Sequence, residues 1–180
     1  DKEINGLTLG AVGKGTTLDH VQVSFSNDDS YEWFGGNVRC KYLIAYRGLD
    51  DDFDTDFGYN GIVQFGLIIR DPQIADQSNS STSEGFESDN DASGSELTPK
   101  TGAIFSNITL VGPYRGNLSN SIDPKFRRCL RLRRSTELKI FNSAFSDFPA
   151  GLHIDGTACE SNAANGNLIF EHNILAGVES

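Results

Sequence analysis

Five aspartates stand within ten residues of this chain, in Leu49-Asp50-Asp51-Asp52-Phe53-Asp54-Thr55-Asp56-Phe57-Gly58. Carboxylates this close repel one another unless cations, hydrogen-bond donors or open water compensate, so such a run is either solvated or a site. Two kinds of chemistry are on offer. Hard oxygen ligands suit calcium, which takes about six to eight of them in a flexible shell. Paired carboxylates suit glycoside hydrolysis, with one acting as acid and the other as base or nucleophile.

The elements that position these groups can be read from alternation. In a strand, neighbouring residues face opposite sides, so if Phe53 and Thr55 face inward, Asp54 and Asp56 face outward. The same short pattern recurs as Leu7-Thr8-Leu9, Tyr31-Glu32-Trp33, Phe53-Asp54-Thr55, Phe86-Glu87-Ser88, Leu130-Arg131-Leu132 and Leu152-His153-Ile154, at steps of 24, 22, 33, 44 and 22 residues. A longer apolar segment follows each copy, at 20–25, 42–46, 66–69, 107–111, 140–145 and 170–175. A repeat of one short and one longer strand cannot bury its apolar side alone and must stack on its neighbours. The pattern therefore predicts an all-β fold, a right-handed parallel β-helix of about six coils, with residues 1–180 as a single domain. A leucine-rich repeat lacks its LxxLxLxxN signature here, and a β-sandwich is the competing all-β reading. Asn142 and Asn173 stand at similar places in their segments and are expected to stack as an amide ladder.

Two insertions interrupt the stack, at 72–85 and 113–126. The first is Ser- and Asn-rich and reads as mobile and exposed; the second carries Tyr114 and Arg115. Loops on one face of a solenoid either line a ligand site or merely decorate the surface.

Stacking the short strands in register makes two outward columns. One reads Glu32, Asp54, Glu87, Arg131, His153, and the other Phe34, Asp56, Asp89, Arg133, Asp155. Asp28 and Asp29 precede one strand and Asp50, Asp51 and Asp52 the next, the last three in a turn where solvation is enough to explain them. Glu32, Asp50, Asp51, Asp54, Asp56, Glu87 and Asp89 together form the candidate calcium site, by composition and geometry, since no EF-hand spacing occurs. If the chain is an enzyme, Asp54, Asp56 and Asp89 are the candidate catalytic groups. Phe34, Tyr59, Arg131, Arg133 and His153 are the candidate substrate contacts: rings for a pyranose face, guanidinium groups for an acidic sugar. The same arginines, with Arg127, Arg128 and Arg134 nearby, can instead neutralise the acidic coil beneath them. Trp33 alternates inward, into the core. His20 and His172 sit in the longer strands and read as structural.

The stretches EINGLTLGAVG, HVQVSFSNDDSYEWFGG, DDDFDTDFG, FESDNDASGS and FSNITLVGP together resemble the pectin-lyase-like right-handed β-helices, and among them a functionally uncharacterised group of secreted or surface-anchored Bacteroidetes proteins. This resemblance implies a β-helix, an exported location and a longer parent chain; it implies no activity. The DTD triplet is similar to part of the NTD motif of polygalacturonase-type glycosidases. Their GHG and RIK motifs have no counterpart here, and His153 in LHIDG replaces neither.

A formal charge of −10 argues against nucleic acid as a partner and favours cations, glycans or a basic partner. The sequence as read contains no apolar run long enough for membrane insertion, and no signal-peptide pattern is expected within it. The chain reads as a piece of a longer secreted or outer-surface protein, with more chain or a capping partner over the open strand edges. Cys40, Cys129 and Cys159 have no zinc-like spacing and are expected as buried thiols, with one disulfide left open. The functional expectation is a β-helix module whose acidic face binds a divalent cation, calcium, and a polysaccharide; a polysaccharide hydrolase or lyase and a structural stalk or adhesin segment are the alternatives.

Overall fold

Alternating apolar and polar residues make the first strand of each coil, and a longer run with one continuous apolar side makes the second. A computed structural model describes residues 4–180. Residues 1–3, where the expected strand approach begins, lie outside the described residues. In chain order the strands are β1 (Leu7–Gly10), β2 (Thr17–Ser24), β3 (Tyr31–Phe34), β4 (Arg39–Tyr46), β5 (Phe53–Asp56), β6 (Ile62–Ile69), β7 (Phe86–Ser88), β8 (Ile104–Val111), β9 (Arg128–Arg133), β10 (Lys139–Phe141), β11 (Ala144–Ser146) and β12 (Ala150–Asp155). Helix α1 (Thr157–Ala164), β13 (Ile169–Glu171) and β14 (Ile174–Ala176) complete the chain.

Through β10 successive strands alternate between two sheets, β10–β11 and β13–β14 being consecutive pairs in one sheet, and strands one coil apart pair in parallel. One sheet runs β1-β3-β5-β7-β9-β12 and the other β13-β10-β8-β6-β4-β2, with β11 and β14 continuing the second sheet. The result is the expected parallel β-helix. Its register also matches: Tyr31 faces Phe53, Phe53 faces Phe86, and Phe86 faces Leu130.

In the coils of β2, β4, β6 and β8 the second strand is longer than its sequence pattern indicated, because it continues through a bend; in the last two coils the bend splits it into β10 and β11 and into β13 and β14. His20, Tyr42, Phe65, Asn107, Asn142 and His172 all have positive φ, between 51° and 61°, and form a corner that runs the length of the stack. The segments before the corner, such as Arg39-Cys40-Lys41, were not expected as strand because their apolar alternation is short. The expected Asn142–Asn173 ladder does not form. Phe141 faces Glu171 and Ala144 faces Ile174, which puts Asn142 level with His172. Asn173 lies one position further on, where its Oδ1 accepts from Ser143 N at 2.9 Å and its Nδ2 donates to Ile140 O at 2.9 Å.

Inside the stack, Trp33 is fully buried between Tyr31, 5.8 Å away, and Tyr59, 5.5 Å away, with Phe53, Phe86 and Phe105 packed edge-on in the same core. The three cysteines are buried, unpaired thiols.

The first insertion is exposed at Gln77, Asn79 and Ser80 and anchored on either side of them. Ala75 and Ser83 are buried, and Ser81 Oγ donates to Asp50 Oδ2 at 2.9 Å. A further insertion, 89–103, joins β7 to β8, a link that takes only a few residues elsewhere in the stack. The 44-residue step from Phe86 to Leu130 contains both this insertion and the one at 113–126, so the spacing alone does not separate them. Its Pro99 seats against Gly58, where φ is 79° and an added Cβ would meet Pro99 O at 2.3 Å. Helix α1 was also unexpected; a single eight-residue helix leaves little periodicity to read. Among the described residues no helix is long and apolar enough to cross a membrane.

Candidate functional site

The first sheet presents its acidic residues in columns, because each coil repeats the same in/out alternation. Glu32 faces Asp54, Asp54 faces Glu87, Glu87 faces Arg131, and Arg131 faces His153, which is the first expected column. In the second, Phe34 faces Asp56 and Arg133 faces Asp155, while Asp89 follows on from β7 with its N–H donating to Thr55 O.

A third column was missed as a column. Asp51 N donates to Asp29 Oδ1 at 2.9 Å, Glu84 N donates to Asp51 Oδ1 at 2.6 Å, and Arg128 Nη1 meets Glu84 Oε1 at 2.6 Å. The signal was in the sequence: Asp29, Asp51, Glu84 and Arg128 each stand two residues before Tyr31, Phe53, Phe86 and Leu130. Each acidic column ends on an arginine of β9. Arg133 Nε contacts Asp89 Oδ1 at 2.7 Å and its Nη2 contacts Glu87, Arg131 Nη1 approaches Glu87 at 3.5 Å, and Arg134 contacts Asp89 at 2.6 Å. Among the described residues, Asp29 and Glu32 on the coil of β3, and Asp51, Asp54 and Asp56 on that of β5, form no such ion pair.

The turn expected to be solvated is covered instead. Asp29 and Asp51 are buried, and Asp52 is fully buried against Arg70 at 3.1 Å, which removes it from the acidic lattice. Burial, reinforced by the neighbouring carboxylates, holds Asp29, Asp51 and Asp54 well above the usual carboxylate range. Burial also pushes Glu32 up to about 7 against its hydrogen bond from Asn5, Asp50 up to about 7 against that from Ser81, and Glu87 up to about 7 against the pull of Arg133. Asp56 rises to about 6, again mainly by burial. Asp91 lies low instead, because the Ser93 and Ser95 hydroxyls and backbone N–H groups donate to it.

Three sets of carboxylates bring one oxygen each within 4.8 Å of the others: Asp28, Asp29 and Asp50; Asp29, Glu32 and Asp54; and Asp51, Glu84 and Glu87. Oxygens held at about 2.4 Å from a calcium ion lie no further apart than that, so each set has the span of a chelating group. Asp54 joins the strand columns at their centre, and its Oδ1 is buried with no hydrogen-bond partner among the described residues. Of the residues assigned to calcium, Glu32, Asp50, Asp51, Asp54 and Glu87 fall within these sets, while Asp56 and Asp89 do not. Glu84, Asp28 and Asp29 were not assigned and do.

The expected substrate contacts divide. Tyr59 is not a surface platform: it is fully buried, stacked on Trp33, with its hydroxyl donating to Val38 O at 2.9 Å. A ring after Asp-Phe-Gly reads as exposed from spacing alone, but the turn carries it back under the sheet. Phe34 is half-buried with its ring 5.8 Å from that of Phe57. Arg131 is committed to Asp155 through Nε and Nη2, at 3.0 and 2.9 Å, and Arg133 to Glu87 and Asp89. His153 stands beside Arg131 with its Nδ1 buried and unpartnered among the described residues.

Searches of curated proteins and of solved structures return no match. The family model described as pectate-lyase like beta helix domain matches residues 1–180. With its parallel two-sheet coils and that match over the whole chain, this protein belongs to the pectate-lyase like β-helix domain family.

Proposed function

We propose that this protein is an exported β-helix module that binds calcium in its acidic lattice and a polysaccharide on the same side of the stack. The observation that carries the reading is Asp54. It is a carboxylate wedged between Glu32 and Glu87 in register, close to Asp29, with a buried oxygen that no donor among the described residues reaches. Leaving such an oxygen unpaired among like charges is costly, and a bound dication removes that cost. Asp29, Glu32 and Asp54 are the proposed ligands, with Asp51, Glu84 and Glu87 as a neighbouring set. A carbohydrate-related role is supported by the family match. The proposed export and surface location rests on the resemblance described above.

Calcium titration followed by thermal melting tests the reading. A midpoint raised by millimolar calcium, and not by sodium at equal ionic strength, is expected for the native chain and absent for Asp54→Asn.

A hydrolase or lyase is the second reading, favoured by Glu32 and Glu87, two carboxyls that burial brings to about 7, where one group can both give and take a proton near neutrality. Turnover of a polyuronate or neutral glycan that Glu32→Gln abolishes would establish it; binding without turnover leaves the module.

A further inference from the structure

The acidic lattice occupies one sheet, and the opposite sheet carries a surface of different chemistry. Among the described residues, four Lys or Arg side chains have neither an ion pair nor a hydrogen bond: Lys14, Arg39, Lys41 and Arg127. Three of them lie together. Lys14 precedes β2, while Arg39 and Lys41 are exposed on the outward side of β4, two residues apart.

Lys14 and Arg39 line a cavity of about 220 Å³ with Asn37, Asn60, Gly61 and Ile62, and no carboxylate lines it. The Lys14 N–H donates to Asn37 Oδ1 at 2.8 Å, which orients that amide and leaves its NH₂ group free to donate. Asn60 Nδ2 is tied to Gly58 O at 2.9 Å. In a chain of formal charge −10, two uncommitted cations and an amide donor in one acid-free recess are complementary to an oxyanion.

Beyond Lys41, the His20 and Tyr42 rings stack at 4.5 Å and the Tyr42 and Phe65 rings at 5.2 Å, bordering a groove of about 510 Å³. These three residues hold φ values of 53°, 55° and 61°, at the corner that the next coils fill with Asn107 and Asn142. Asparagine tolerates that conformation far better than a bulky ring does. Ring stacking returns part of the cost. What remains is a row of ring edges exposed beside the cations.

We propose that this face binds an oxyanion-bearing sugar chain, with Lys14, Arg39 and the Asn37 amide taking a carboxylate or sulfate group and the ring row bordering the adjoining sugar. The ligand class rests on the carbohydrate reading of the fold, but the site shares no residue with the acidic lattice. A second copy of this acidic chain is the other available anion; a recess sized for one small group favours the sugar.

Calorimetry with dextran sulfate oligomers, oligogalacturonate, unmodified dextran oligomers and inorganic sulfate tests it. At least one anionic chain is expected to bind, more weakly as salt rises, with the neutral chain silent. Lys14→Ala/Arg39→Ala should weaken that binding by about tenfold or more, whereas Arg127→Ala, an uncommitted arginine off this face, should not. Inorganic sulfate competing at the same concentration as the chains would overturn the sugar component. Binding unchanged in the double variant, or no anionic binding while calcium still raises the melting midpoint, would overturn this site and leave the cation reading standing. Dimerisation in sedimentation that the double variant abolishes, without chain binding, would assign the face to a second copy instead.

Discussion

Arg70 and Asp52 meet at 3.1 Å with neither side chain exposed, a fully buried ion pair beneath the acidic lattice. Arg70 also donates to Asp50 O at 2.8 Å and Leu49 O at 3.2 Å and lies 5.0 Å from the Phe126 ring centroid, so it holds the turn that presents Asp50 and Asp51. Removing one partner strands a buried charge. Arg70→Met is expected to cost about 3–5 kcal/mol in chemical denaturation, and adding Asp52→Asn should recover part of that. A double variant no more stable than Arg70→Met would show that the pairing is not what stabilises the turn.

Calcium is expected to act through the lattice. At about one hundred times Kd a ligand adds about 2.7 kcal/mol, which for a chain of this size raises the melting midpoint by about 5–10 °C. Asp54→Asn should lose that increment while leaving the calcium-free midpoint unchanged or higher, because it removes a repelled charge. A calcium response surviving in Asp54→Asn argues that the ion binds elsewhere.

Stability without calcium should fall as pH rises. Glu32, Asp50 and Glu87 each hold a proton more firmly folded than unfolded, rising from the ordinary carboxyl range to about 7. Their contribution is complete below about pH 4 and is lost as pH climbs through about 7. In chelator, the midpoint is expected to drop by roughly 5 °C or more between pH 4.5 and pH 8, and millimolar calcium should flatten the drop. A midpoint that rises over that interval contradicts the burial of these carboxyls.

The aromatic core predicts graded losses. Tyr59→Phe removes only the bond to Val38 O and should cost about 1 kcal/mol, whereas Trp33→Ala, which empties the centre of the ring cluster, should cost about 3–5 kcal/mol. Equal losses in urea unfolding would mean that the hydroxyl, not the packing, dominates.

The in/out pattern at Tyr31-Glu32-Trp33 and Phe53-Asp54-Thr55, repeated down the chain, determined by itself the stacked coils, the register and the order of the Glu32 column, because alternation is local and a solenoid contacts only its neighbours. It could not determine what covers each column. Tyr59 turns inward, Asp52 finds Arg70, and the Asp29 column forms through turn residues whose directions no alternation specifies. The placement of the arginines of β9 over the carboxylates also depends on how far the inserted loops bring the chain back before the next coil begins. Only the tertiary structure decided those points, since they depend on contacts between segments tens of residues apart. The acidic run is therefore legible as a candidate site from its spacing, but which of its carboxylates are buried, paired or left without a partner follows from the packing around them.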